Sequence, residues 1–165
     1  MFDGLMRSIR LRQRQTTLLS PLAGQVMPLS SVNDETFSAG LLGDGVAIQP
    51  SSNRVVAPED AKVDAIFPTG HAVALRTFDG LDILIHIGID TVKLQGRHFK
   101  VLVRPGDMVS QGDVLIEFDR EAIAAEGFDT IAPVLVRNAL EFGSLKSAVG
   151  KRVEELDKLI VVRSR

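Results

Sequence analysis

Asp82-Ile83-Leu84-Ile85-His86-Ile87 is apolar at nearly every position, with Asp79-Gly80 before it and Gly88 after it. A short apolar run bounded by turn residues reads as a strand covered on both faces. Upstream, Lys62-Val63-Asp64-Ala65-Ile66-Phe67 begins by alternating polar and apolar residues, as expected of a strand with one face in a core. The same texture recurs at 24–29, 46–49, 54–57, 72–77, 99–103, 114–118, 134–137 and 159–163. Turn signals separate these runs at Gly43-Asp44-Gly45, Pro68-Thr69-Gly70, Pro105-Gly106 and Gln111-Gly112-Asp113. Many short strands punctuated in this way predict an all-β chain, an antiparallel sandwich or barrel-sandwich with short helical turns. Helix is expected only at 119–126, with Asp119 as N-cap and Gly127 beyond its end, and as single turns at 89–94 and 145–149.

The wider composition agrees. The chain has 165 residues, about one domain, with 45% hydrophobic and 24% charged residues. It has no cysteine, so disulfides, thiolate metal sites and thiol nucleophiles are excluded. Tyr and Trp are absent and the net charge is −2, which argues against a nucleic-acid partner. No apolar run approaches the length of a membrane span, and the start lacks the apolar core of a secretory signal, so a cytoplasmic location is expected. Residues 1–17 hold Arg7, Arg10, Arg12 and Arg14 against Asp3, a net +3 that leaves −5 on the rest. They are expected to form a flexible basic arm, with at most weak membrane contact, ahead of a β domain at 18–165. Leu18-Leu19-Ser20-Pro21 followed by Val26 is echoed by Val55-Val56-Ala57-Pro58 followed by Val63, which predicts two similar halves packed face to face.

With cysteine absent, chemistry falls to His71, His86 and His98. His98, in Gly96-Arg97-His98-Phe99, reads as a loop or strand-start residue. His86 has a rigid strand as its mount, and Gly88 lets backbone or a bulky group approach. A turn from Ile89 through Asp90 is expected to aim N–H groups at an anion beside the ring. If the hairpin turns between Asp79 and Gly80, Ala72 faces Ile87 and Val73 faces His86, and His71 lies within reach on the same face. Thr69 can add a hydroxyl. Strand, histidine, glycine and amide-lined turn describe a site that accepts phosphate. A neutral imidazole is a good nucleophile near pH 7, and a second imidazole can donate to the phosphoryl oxygens. Phe37, Leu41, Leu42, Val46 and Phe67 lie in or beside loop-like stretches, where they form either core or a protein-docking patch. A zinc hydrolase, a swinging-arm carrier and a regulatory binding module remain as other readings. The first lacks an H-x-H pair and the second a lysine at a hairpin tip.

The stretch from Gly80 to Val92 resembles the phosphorylation-site segment of the glucose-family IIA domain of the bacterial sugar phosphotransferase system. Ser20-Pro21-Leu22-Ala23-Gly24, Gly43-Asp44-Gly45-Val46, Val56-Ala57-Pro58, Thr69-Gly70-His71-Ala72 and Gly112-Asp113-Val114-Leu115-Ile116-Glu117-Phe118-Asp119 follow in that family's order. The resemblance implies an antiparallel β-sandwich in which His86 Nε2 takes a phosphoryl group from the carrier HPr. The group then passes to a cysteine of a IIB domain in a sugar permease of glucose or N-acetylglucosamine type. It implies that His71 serves onward transfer beside Thr69, Gly88 and Asp90. It implies no required cofactor, although in some members a zinc ion sits on the two histidines with a partner's carboxylate, and some bind regulatory targets. Ala61, Gly70, Val73 and Ile87 depart from the family's usual glycine, asparagine and two phenylalanines.

Overall fold

The computed structural model describes residues 15–165. Fourteen strands pair antiparallel in three sheets. The largest has the order β13-β2-β3-β11-β7-β6-β5-β9. These are Arg152–Val153, Gly24–Pro28, Asp44–Pro50, Ala132–Val136, Asp82–His86, Ala72–Thr77, Ala61–Ile66 and Met108–Val109 respectively. One small sheet joins β1 (Gln15–Leu19), β14 (Lys158–Arg163) and β12 (Ser144–Ser147). The other joins β4 (Arg54–Val56), β10 (Val114–Phe118) and β8 (Phe99–Val101). Among the described residues helices are short: α1 (Glu35–Ser38), α2 (Arg120–Ala125) and three 3-10 turns. As expected, Asp119 caps α2, its carboxylate accepting from Ala122 N–H at 3.0 Å.

The main core draws Leu18 and Ile160 from one small sheet, Val55 and Leu115 from the other, and Val26, Val63, Leu75, Ile83 and Ile85 from the large sheet. Each fully buried Ile or Leu there contributes roughly 1.5–3 kcal/mol. The opposite face of the large sheet carries a second cluster. Ala47, Ala72, Ala74, Leu84 and Leu135 form its bed, and Leu29, Val32 and Phe37 lie over it. This explains why β7 is apolar throughout: Ile83 and Ile85 serve one core and Leu84 the other.

Four expectations are corrected. The 145–149 turn is strand β12, held at the sheet edge by pairing of Leu145 with Val162. The last three residues of the expected arm belong to β1, where Gln15, Thr16 and Thr17 pair with Arg163, Val162 and Val161; the reading of 1–14 lies outside the described residues. The repeat is real in local form, and its copies touch, Val56 N–H donating to Pro21 O at 2.9 Å. Its strands β2 and β5, however, belong to one sheet, with four strands between them and each next to an edge strand, rather than to two facing sheets.

The fourth correction is the register of the β6–β7 hairpin. Ala72 faces His86 and Arg76 faces Asp82, one residue off the expected pairing. Thr77 N–H donates to Leu81 O at 2.9 Å and Gly80 N–H to Thr77 O at 3.1 Å, so the loop has three residues rather than two. Gly80 supplies the left-handed position of that loop at φ 96°.

Candidate functional site

His86 ends β7 on the second-cluster face, the same side as Leu84 and the facing Ala72. Gly88 then turns the chain at φ 75° and returns its carbonyl to the ring, which meets it through Nδ1 at 2.8 Å. A Cβ at Gly88 would lie 2.6 Å from Thr91 Cγ2 and 2.8 Å from Asp129 O, so no larger residue fits without displacing backbone. Thr91 secures the turn by donating its hydroxyl to Ile87 O at 2.5 Å. A carbonyl oxygen only accepts. In neutral His86 the proton therefore sits on Nδ1 and the lone pair on Nε2.

With the observed register, strict alternation would turn His71 to the face opposite His86. The chain has already left β6 at Ala72, and Gly70 at φ 74° bends it back. Ile87 N–H donates to His71 O at 2.7 Å, and the two rings lie 4.8 Å apart at 78°. Thr69 Oγ1 is 2.6 Å from His71 Nδ1. Two phenylalanines complete the surround. Phe67 stands edge-on to His71 at 5.5 Å and to His86 at 6.5 Å, while Phe37 is tilted against His86 at 4.9 Å.

Burial pushes the His71 pKa down to about 4, assisted by the neighbouring charge of His86. The His86 pKa is also lowered, chiefly by burial; the Gly88 carbonyl and the carboxylates of Asp34 and Asp90 pull the other way. Both rings are thus neutral at pH 7. At the far end of the same hairpin, burial pushes the Glu59 pKa up to about 8, and the carboxylates of Asp79 and Asp60 act the same way.

These two shifts act oppositely on stability. The folded-state pKa of His71 lies below its usual 6.5, so stability is lost as pH falls from there through about 4. Glu59 lies above its usual 4.5, so stability is lost as pH rises from there through about 8. Equilibrium unfolding followed across pH should show both limbs, and Glu59→Gln should flatten the alkaline one between 6.5 and 8.

Thr69, His71, His86 and Gly88 come together, and Asp90, in a left-handed conformation at φ 60°, acts on His86 through its charge. Other expectations change. Ile89 N–H is taken by Asp129 O at 3.0 Å, so that amide is not free for an anion. Val46 is fully buried in the main core because its neighbour Ala47 takes the outer face, so it cannot dock a partner. Phe37 is only 5% exposed and lies against His86 instead of being presented to solvent. Leu41 and Leu42 are exposed and line a different hollow, with Asp82, Arg137 and Leu140. Phe67 is half-buried beside the histidines. His98 pairs with Glu126 in a separate surface cluster. Asp34 escaped the sequence reading, although its place two residues before Thr36 carries an N-cap signal: its carboxylate accepts from Thr36 N–H at 2.9 Å.

Residues 16–142 match the family described as "phosphoenolpyruvate-dependent sugar phosphotransferase system, EIIA 1". The chain belongs to this family. A solved structure of glucose permease IIA from Mycoplasma capricolum superposes with TM-score 0.81 at 33% identity, over 90% of this chain and 96% of that one. The PTS system glucose-specific EIIBCA component of Corynebacterium glutamicum is 51% identical over 128 residues, 78% of this chain and 19% of that protein. The PTS system beta-glucoside-specific EIIBCA component of Dickeya chrysanthemi is 45% identical over 141 residues, 86% of this chain and 22% of that protein. This EIIA chain thus spans about a fifth of the length of those two relatives. Among its described residues, no helix is long and apolar enough to cross a membrane. Its departures from the family pattern leave the site intact. Gly70 occupies a left-handed conformation that asparagine also adopts, and Val73 and Ile87 are fully buried in the main core.

Proposed function

We propose that this EIIA chain is a phosphoryl relay: His86 Nε2 takes the group from the phosphohistidine of HPr and yields it to a cysteine of a IIB domain. The observation that carries this is the Gly88 carbonyl on His86 Nδ1, with a second neutral imidazole 4.8 Å away. The Nε2 lone pair attacks phosphorus, the P–N bond to the HPr ring breaks, and that electron pair returns to HPr. No proton has to leave His86, because Nε2 carries none. The proton stays on Nδ1, donated to the Gly88 carbonyl, and keeps the phosphorylated ring a good leaving group. Onward, the IIB thiolate attacks phosphorus and the bonding pair returns to Nε2. With Thr69 donating its hydroxyl to His71 Nδ1, His71 Nε2–H faces the phosphoryl oxygens as they gain charge.

The same reading places the chain in the cytoplasm, where a permease's IIB domain meets it. The glucose and β-glucoside permeases named among the relatives are the first to test. A zinc ion held here would take two ligands from His71 and His86 and the rest from a partner, since among the described residues no group of three candidate ligands forms. A zinc hydrolase, which needs three protein ligands, is disfavoured on that ground. The test is transfer of labelled phosphate from HPr to the chain and on to a panel of IIB domains. Label that arrives, and leaves only with a IIB domain, is the expected result; a chain that takes no label overturns the relay.

A further inference from the structure

The geometry points to Phe37 as a shielding residue that sets how long phosphorylated His86 survives water. This rests on the relay just proposed.

Phe37 is 5% exposed, and its ring centroid lies 4.9 Å from that of His86. Its place is built. Asp34 caps α1 through Thr36 N–H, Phe37 N–H donates to Asp34 O at 3.1 Å, and Gly40 N–H donates to Phe37 O at 3.0 Å. Phe37 shares one buried cluster with Ala47, Ala72 and Ala74, whose small side chains leave room for its ring on that sheet face. His86 itself stays partly exposed, so Phe37 closes a flank and leaves the ring approachable. Phe67 stands farther off, at 6.5 Å.

Loss of the group to solvent needs a water oxygen to attack phosphorus while the P–Nε2 bond breaks. The electron pair returns to Nε2 and inorganic phosphate leaves. An apolar flank denies that water a hydrogen-bonded position and raises the cost of solvating the reacting charge. A carrier thiolate brought by a docked protein is not subject to that cost, because docking excludes water as well.

The test compares Phe37→Leu, which keeps an apolar cover, with Phe37→Gln, of similar length and polar, after labelling all forms from phosphorylated HPr. The half-life of the label is read with no IIB domain present. Phe37→Gln should lose it about tenfold faster than the native chain, and Phe37→Leu at nearly the native rate. In NMR titration the Gln variant should also bring the His86 pKa back toward 6.5. Equal half-lives in all three forms would overturn the shield. A native chain that takes no label would instead overturn the relay, and the shield with it.

Discussion

His86→Ala should accept no phosphoryl group from HPr, a loss to below detection in a labelled-transfer assay. Nothing else in the pocket can replace it. His71 is only 4% exposed, and its ring is committed to Thr69 at 2.6 Å. Thr69 is itself that partner, and the base beside it, His71, is held near 4, too weak to take a threonine proton at neutral pH. The substitution should leave the fold standing. His86 is partly exposed at the end of β7, and truncating it removes one Nδ1 bond and the ring's contacts with Phe37, His71 and Phe67. A cost of roughly 1 kcal/mol is the central expectation for such a change, visible as a small drop in melting temperature. Label on the His86→Ala protein would place the acceptor elsewhere and undo the mechanism.

His71→Gln should divide the two half-reactions: loading from HPr persists, while transfer to a IIB domain falls by about 100-fold or more. The carboxamide can occupy the space of the ring and keep a bond to Thr69. What it cannot do is take up a proton. His71 is held near 4 by burial and by His86, but a phosphoryl dianion on His86 would pull that value upward. The imidazole can then meet growing negative charge with a proton, and glutamine has none to gain. Separate rates of loading and unloading, measured by rapid quench, decide the point; equal losses in both would assign His71 a purely structural role. The same variant should weaken the acid limb of the stability profile, leaving the part that the lowered pKa of His86 contributes.

Much of the site was legible because its parts are close in the chain. The apolar run 82–87 announced a strand covered on both sides, and the structure divides Ile83 and Ile85 from Leu84 between two cores as that reading required. The turn after Gly70 and the hairpin at Asp79-Gly80 were enough to bring two histidines to one end, even though the register was misjudged by one residue. A three-residue loop and a two-residue loop can share the same Asp-Gly signal, and only the Thr77–Leu81 pairing distinguishes them. The docking patch was less readable. Val46 and Ala47 are adjacent, one goes to each face, and a single strand does not say which face solvent sees. Edge strand β12 was missed for a related reason: Leu145 alone is half-buried among exposed Ser and Lys, so no alternation marks it.

The order of residues alone determined an all-β chain with a neutral histidine on a rigid strand, a second histidine nearby and a glycine after the first. These features follow from steric and hydrophobic preferences among neighbours, which act over a few residues. Tertiary structure decided that the Gly88 carbonyl, not the amide of Ile89, addresses the site, and hence which nitrogen of His86 is free. It also decided that Phe37 covers His86 and that Glu59 is half-buried near Asp79. The contacts of Phe37 with His86, of Glu59 with Asp79 and of Ile89 with Asp129 join segments remote in sequence, and they exist only once sheet order and layer packing have set which surfaces meet.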